Sequence, residues 1–170
     1  MIVILSGASH TGKTKLAQTL LQRYHFPYLS IDHLKMGLIR SGQTTLNPCS
    51  PDEELTAYLW PIVREMIKTA VENRQNLIVE GCYVPFDWKQ DFEPEYLTQI
   101  RAVWLVMTEQ YLTQHFDRVK AHASDIEARL EDDIALEELI ADNTKNYDGC
   151  KTYGCERILI DEDYAVDLTL

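Results

Sequence analysis

The stretch LSGASHTGKT, residues 5–14, decides how the rest of the chain is read. An apolar run from Ile2 to Leu5 leads into it, and Gly7, Gly12, Lys13 and Thr14 fill the pattern G-x-x-x-x-G-K-[ST] completely. A polyphosphate is wrapped by backbone N–H groups, and glycine permits the turns and the close approach that this needs. Gly7, Ala8, Ser9, His10, Thr11, Gly12, Lys13 and Thr14 are therefore the expected phosphate-binding residues. Lys13 would place its ammonium on the outer phosphates, and Thr14 would offer a hydroxyl to magnesium. His10 occupies a variable position and is expected to act through its backbone. A helix opening here would point its positive end at the anion.

Outward from this loop the chain alternates between apolar runs and amphipathic stretches. Leu16, Leu20 and Tyr24 recur at helical spacing with Ala17 and Leu21 beside them, which predicts a helix from Lys13 to about Arg23. FPYLSI then reads as a short strand ending at Asp32, and DHLKMGLIR as a short helix before a polar loop. Ser50, Pro51, Asp52 and Glu53 read as a hydroxyl cap, an N1 proline and a capping-box carboxylate opening a long helix. Pro61 inside that helix predicts a kink. LIVEG supplies a third strand stopping at Glu80, and Ala102 to Met107 a fourth. Thr108 is expected to cap a helix ending near His122. Ser124 to Glu127 repeats the capping-box pattern and predicts a further helix reaching about Lys145, followed by RILID, Arg157 to Asp161, as a fifth strand.

Short, continuously apolar strands alternating with helices imply a parallel sheet covered on both faces, a three-layer α/β fold. The 170 residues fit one domain, with no visible repeat or linker. The formal net charge of −11 argues against a broad nucleic-acid footprint. No apolar run approaches a membrane span, and the first strand begins without a basic leader, so the expectation is a cytosolic protein. Cys49, Cys82, Cys150 and Cys155 lack zinc-type spacing and are expected as reduced thiols.

Ligands of such sheets bind at the carboxyl ends of the strands. Asp32, Glu80 and the glycine-rich loop all stand at predicted strand ends, so they should meet in one cleft. Asp32 is placed to take the proton of a substrate hydroxyl or to cap the following helix. Glu80 could hold a magnesium-bound water or a substrate hydroxyl, and Arg40 could meet an acceptor's anionic group or stay solvated. Arg118, Lys120 and Arg129 bracket a predicted helix break. A cation on a mobile segment can stabilise charge developing during phosphoryl transfer, so residues 118–129 read as a short lid or as a plain helix hairpin. His115 and His122 read as helix-surface residues.

With these stretches on the page, GASHTGKT, SIDHLKMGLIR, LIVEG and the basic segment together resemble the small P-loop kinases of the nucleoside monophosphate kinase superfamily. The resemblance implies a five-stranded parallel sheet with the third strand between the first two, an acceptor held over residues 32 to 80, and a lid closing on ATP. It implies ATP and Mg2+ as cofactors and a small-molecule acceptor as partner. Asp32 is similar to the base of members that phosphorylate a hydroxyl, while Arg40 matches a role in holding an acceptor's phosphate. The absence of a long arginine-rich lid departs from the adenylate kinase pattern. A nucleotide-hydrolysing switch and a kinase of nucleic-acid 5′ ends are the alternative readings, and oligomeric state stays open.

Overall fold

The computed structural model describes residues 1–121 and 135–170. Five parallel strands form one sheet in the order β2-β3-β1-β4-β5: β1 Ile2–Gly7, β2 Tyr28–Ser30, β3 Leu77–Glu80, β4 Ile100–Met107 and β5 Glu156–Ile160. β3 lies between the first two strands, as the resemblance implies. The helices are α1 Lys13–Tyr24, α2 Ile31–Arg40, α3 Asp52–Glu72, the single turn α4 Pro94–Leu97, α5 Glu109–Ala121 and α6 Leu136–Tyr153.

Every residue of β1 is buried because a central parallel strand is covered on both faces. The strand period of two divides its side chains between two cores. Val3 and Leu5 pack with Leu16, Ala17 and Leu20 of α1. Ile2 and Ile4 pack with Leu55, Leu59, Val63 and Ile67 of α3, together with Trp104 of β4. Each aliphatic side chain so buried contributes about 1.5–3 kcal/mol relative to exposure. A third cluster, Met107, Tyr111, Leu112, Val119, Leu139 and Ile160, ties α5 and α6 to the ends of β4 and β5. Among the described residues no helix is long and apolar enough to cross a membrane.

The elements differ from the sequence reading in four places. β2 is only three residues long and α2 follows at once, so Asp32 lies in the first helical turn and not at a strand end. α3 begins at Asp52 with Pro51 as its cap residue and no side-chain cap bond. The Ser50 hydroxyl instead accepts the Asn47 N–H within the preceding loop, at 3.0 Å, so the expected capping box is not built. α5, read as one helix, carries non-helical backbone at His115, φ −124° and ψ 18°, while α3 continues through Pro61 as one element, which leaves the expected kink untested. The helix expected to end near Lys145 continues to Tyr153 and stops at Gly154, and its expected start at Ser124 to Glu127 lies outside the described residues. Thr108 does cap α5, its Oγ1 accepting the Tyr111 N–H at 3.1 Å.

Candidate active site

β1 delivers the glycine-rich loop to the carboxyl end of the sheet. Gly7, φ 132°, turns the chain out of the strand so close to β4 that a Cβ there would stand 2.2 Å from the Leu105 carbonyl oxygen. Gly12, φ 85°, caps α1 in the left-handed region without a side-chain cap bond, so the first amides of α1 remain available to an anion. Between them His10 also has positive φ, 65°. Lys13 is buried, and its Nζ donates to the Ala8 carbonyl at 2.7 Å, where the Thr11 hydroxyl donates as well at 2.9 Å. The ammonium thus lies across the concavity of its own loop.

Thr14, the second residue of α1, donates its hydroxyl to Oε2 of Glu80 at 3.2 Å. The pairing follows from sheet register: β1 and β3 are neighbours with Leu5 opposite Glu80, which sets the buried carboxylate beside the loop. A hydroxyl and a carboxylate oxygen side by side form a hard-oxygen donor pair that fits Mg2+, which takes few protein ligands and keeps the remainder as water and phosphate. Among the described residues no group of three or more His, Cys, Asp and Glu side chains gathers to hold a metal.

A cavity of about 1270 Å³ opens beside the loop and is lined by Gly7, Ala8, Ser9, Lys13, Thr14 and Glu80 on one side and by Asp32, Lys35 and Arg40 of α2 on another. The three predicted strand-end features therefore border the same space. Trp60, Tyr83, Phe86, Val84 and Met36 supply apolar wall. Phe86 is held between Trp104 and Tyr153 with ring centroids 6.0 and 6.3 Å away, which anchors the segment after β3 to the sheet and to α6. Sequence reasoning missed two cations of this cavity. Lys145 of α6 reaches Glu53 of α3 at 2.7 Å, an exposed ion pair joining two walls.

The other missed cation is Lys35. Its Nζ bonds Oδ1 of Asp32 at 2.6 Å and the Tyr83 hydroxyl at 2.8 Å, and its side chain is only 11% exposed. Burial opposes the ammonium, but the Asp32 charge and bond together with the Tyr83 bond outweigh it and raise the lysine pKa. Burial pushes the Tyr83 phenol up to about 12 against the pull of Lys35. Burial likewise raises the Cys82 thiol, with the Lys13 charge opposing it. Asp32 therefore does not stand alone: Oδ1 is taken by Lys35, and among the described residues no hydrogen bond engages Oδ2. Ser30, and not Asp32, is the cap residue of α2.

Arg40 ends α2, exposed on the cavity rim. Arg118 is exposed on α5 and does not line the cavity. It lies close enough to Tyr111 to oppose the rise that burial causes in that phenol's pKa. Arg129, His122 and the greater part of the segment expected as a lid lie outside the described residues. Cys49, Cys82, Cys150 and Cys155 are all free thiols.

No family model matches this chain, and no curated protein matches it. Solved structures do match. A candidate kinase from Chloroflexus aurantiacus J-10-fl is 17% identical, with 98% of this chain and 91% of that chain covered and a TM-score of 0.57. A sugar kinase from Janibacter sp. HTCC2649 is 13% identical over 94% of this chain and 84% of its own, with a TM-score of 0.53. The fold is that of the P-loop kinases. A shikimate kinase from Bacteroides thetaiotaomicron adds a third such likeness, 14% identical over 98% of this chain and 89% of its own, with a TM-score of 0.52. All three share with this chain a layered architecture with which the all-parallel β2-β3-β1-β4-β5 sheet agrees.

Proposed function

We propose that this chain is an ATP-dependent phosphotransferase that moves the γ-phosphoryl group to a hydroxyl of a small molecule, with residues 1–170 acting as one kinase-like domain. The observation that carries this reading is the juxtaposition of two carboxylates of different setting on one cavity. Glu80 is bonded to the Thr14 hydroxyl beside the phosphate loop, and Asp32 is held by Lys35 on the α2 wall. A hydrolytic switch needs the first of these and has no use for the second. The apolar wall around Asp32 suits a small acceptor better than a nucleic-acid strand, and the net charge of −11 favours the same choice.

In this reading the loop amides of residues 8–12 and the first amides of α1 bind the β- and γ-phosphates. Lys13 leaves the Ala8 carbonyl to follow charge on their outer oxygens. Thr14 and Glu80 would hold Mg2+, which when bound neutralises phosphate charge. Lys35 fixes one oxygen of Asp32, so that the other accepts the proton as the acceptor's hydroxyl oxygen attacks phosphorus and ADP departs. Arg40 on the rim takes an anionic group of the acceptor. Arg118, which stands outside the cavity on α5, and Arg129 are proposed as cations that would reach the nucleotide's phosphates only once it is bound.

The test is a metabolite screen scored by ADP release, followed by Asp32→Asn on the acceptor it finds. The carboxamide keeps size and hydrogen-bonding reach but cannot take the proton, so transfer should fall by about 10² to 10⁴ while Mg·ATP binding persists. A variant that transfers at the wild-type rate would remove Asp32 from the mechanism.

A further inference from the structure

The last ten residues return across the molecule and touch the phosphate loop through one side chain. After β5 the chain passes Tyr164, whose hydroxyl donates to the Thr11 carbonyl at 3.2 Å. Beyond it the tail is fastened at successive points. Asp167 pairs with Arg23 of α1 at 2.8 Å, Leu168 is buried among the α1-side core residues, Arg101 Nη1 donates to the Thr169 carbonyl at 2.6 Å, and the Leu170 N–H donates to the Tyr24 hydroxyl at 3.3 Å. Tyr164 itself packs against the cluster of Met107, Tyr111 and Leu112. Its ring is therefore set by elements distant in sequence, while its phenol oxygen rests on the loop.

The contact bears on anion binding through the geometry of one peptide. In a trans peptide the C=O and the following N–H point in opposite directions. A donor that holds the Thr11 carbonyl on the protein side therefore turns the Gly12 N–H the other way, toward the concave side where a phosphate sits. With Tyr164 in place only glycine fits at position 12: a Cβ there would stand 1.8 Å from the phenol oxygen. The glycine in the P-loop pattern thus has a local partner in this chain besides its left-handed backbone.

Resting on the phosphate-loop reading proposed above, we infer that Tyr164 is a positioning residue for the phosphate site. It fixes the Thr11–Gly12 peptide so that the loop presents a preformed anion cradle, and it links the C-terminal tail to nucleotide affinity. Burial, with the neighbouring Tyr111 adding to it, pushes the Tyr164 phenol up to about 12, so the hydroxyl keeps its donor proton across the working range of pH. Lys15, with its Nζ 5.6 Å from the ring centroid, adds a cation over the same ring.

The experiment is calorimetric binding of Mg·ADP and of inorganic tripolyphosphate with magnesium to the full chain, to Tyr164→Phe, and to Tyr153→Phe as a control far from the loop. Phe keeps the packed ring and removes only the donor. Both ligands should bind Tyr164→Phe about two- to tenfold more weakly, at most the worth of one neutral hydrogen bond, Tyr153→Phe should bind as wild type does, and the thermal midpoint of Tyr164→Phe should fall by no more than about 2–4 °C, so that the protein titrated is folded. Unchanged tripolyphosphate affinity in Tyr164→Phe overturns the inference. Weaker ADP with unchanged tripolyphosphate does so too, and would make Tyr164 a contact of the nucleoside. Failure of the wild-type protein to bind either ligand would instead overturn the phosphate-loop reading.

Discussion

Lys35 and Asp32 stand three residues apart on α2, a spacing that on a solvent-facing helix is worth only a few tenths of a kcal/mol. What changes their meaning is Tyr83, 48 positions later in the chain, which closes over the lysine and accepts its second bond. No local pattern announces such a contact, and so Asp32 is legible from sequence while the group that holds it is not. Lys145 is hidden for the same reason, since its partner Glu53 lies on another helix. The geometry of the glycine-rich loop is legible because it is local: consecutive residues supply both the turns and the lysine that folds back over them. Lys35→Met, which keeps the aliphatic stem and removes the charge, frees Oδ1 of Asp32 and lets the carboxylate rotate. The expected outcome is a fall in kcat of up to about 10²-fold, the scale on which misplaced catalytic groups act, with KM for ATP unchanged and part of the loss recovered in Lys35→Arg. Steady-state kinetics on the acceptor check it, and equal kcat in all three proteins would assign Lys35 to stability alone.

At the scale of elements, the strands were readable because central parallel strands are buried on both faces and leave unbroken apolar runs such as IVIL and VWLVM. The reach of helix α6 beyond Lys145 was not, because its buried residues Leu139, Asn143 and Cys150 form a narrow stripe with an amide in the middle. That amide has a purpose visible only in three dimensions. Oδ1 of Asn143 accepts the Met107 N–H at the end of β4, at 2.8 Å, and its Nδ2 donates to the Leu139 carbonyl at 2.9 Å. A polar side chain thus completes the strand's backbone pairing where no neighbouring strand does, and docks α6 beside the cavity that Asp142, Lys145 and Asn146 help to line. Asn143→Ala should leave the Met107 N–H buried without an acceptor and lower stability by about 1–3 kcal/mol, read from urea denaturation at neutral pH. A midpoint equal to wild type would mean that the strand end finds another acceptor or water.

For the whole molecule, the order of the strands matters more than any single contact. β3 beside β1 brings Glu80 to Thr14, and β2 beside β3 brings α2 and Asp32 to the same end of the sheet. The far side is closed by Arg101 of β4, which reaches both β5 and the C-terminal tail. Its Nη2 and Nε bond the two oxygens of Glu156 at 2.6 and 3.1 Å, and its Nη1 bonds the Thr169 carbonyl. The Arg101 bonds and charge hold the Glu156 carboxyl below its ordinary pKa, with burial opposing. A depressed carboxylate stabilises the fold above its unfolded pKa, and that stabilisation is lost as pH falls through the lower, folded value. The bond to Thr169 carries no titrating group and should survive acid. Both side chains are partly exposed, 34% for Arg101 and 48% for Glu156, so solvent screening limits the ion pair to about 1 kcal/mol. Arg101→Gln, which loses both the ion pair and the bond to Thr169, should therefore be less stable than wild type at pH 7 by about 1 kcal/mol for the pair and about a further 1 kcal/mol for the carbonyl bond. The gap should narrow, without closing, as pH drops below the carboxylate range and Glu156 protonates in both proteins. Denaturant titrations at pH 7 and in acid measure the two gaps. A gap that stays constant with pH would assign the whole effect to the Thr169 carbonyl and the tail it fastens, and none of it to the charge on β5.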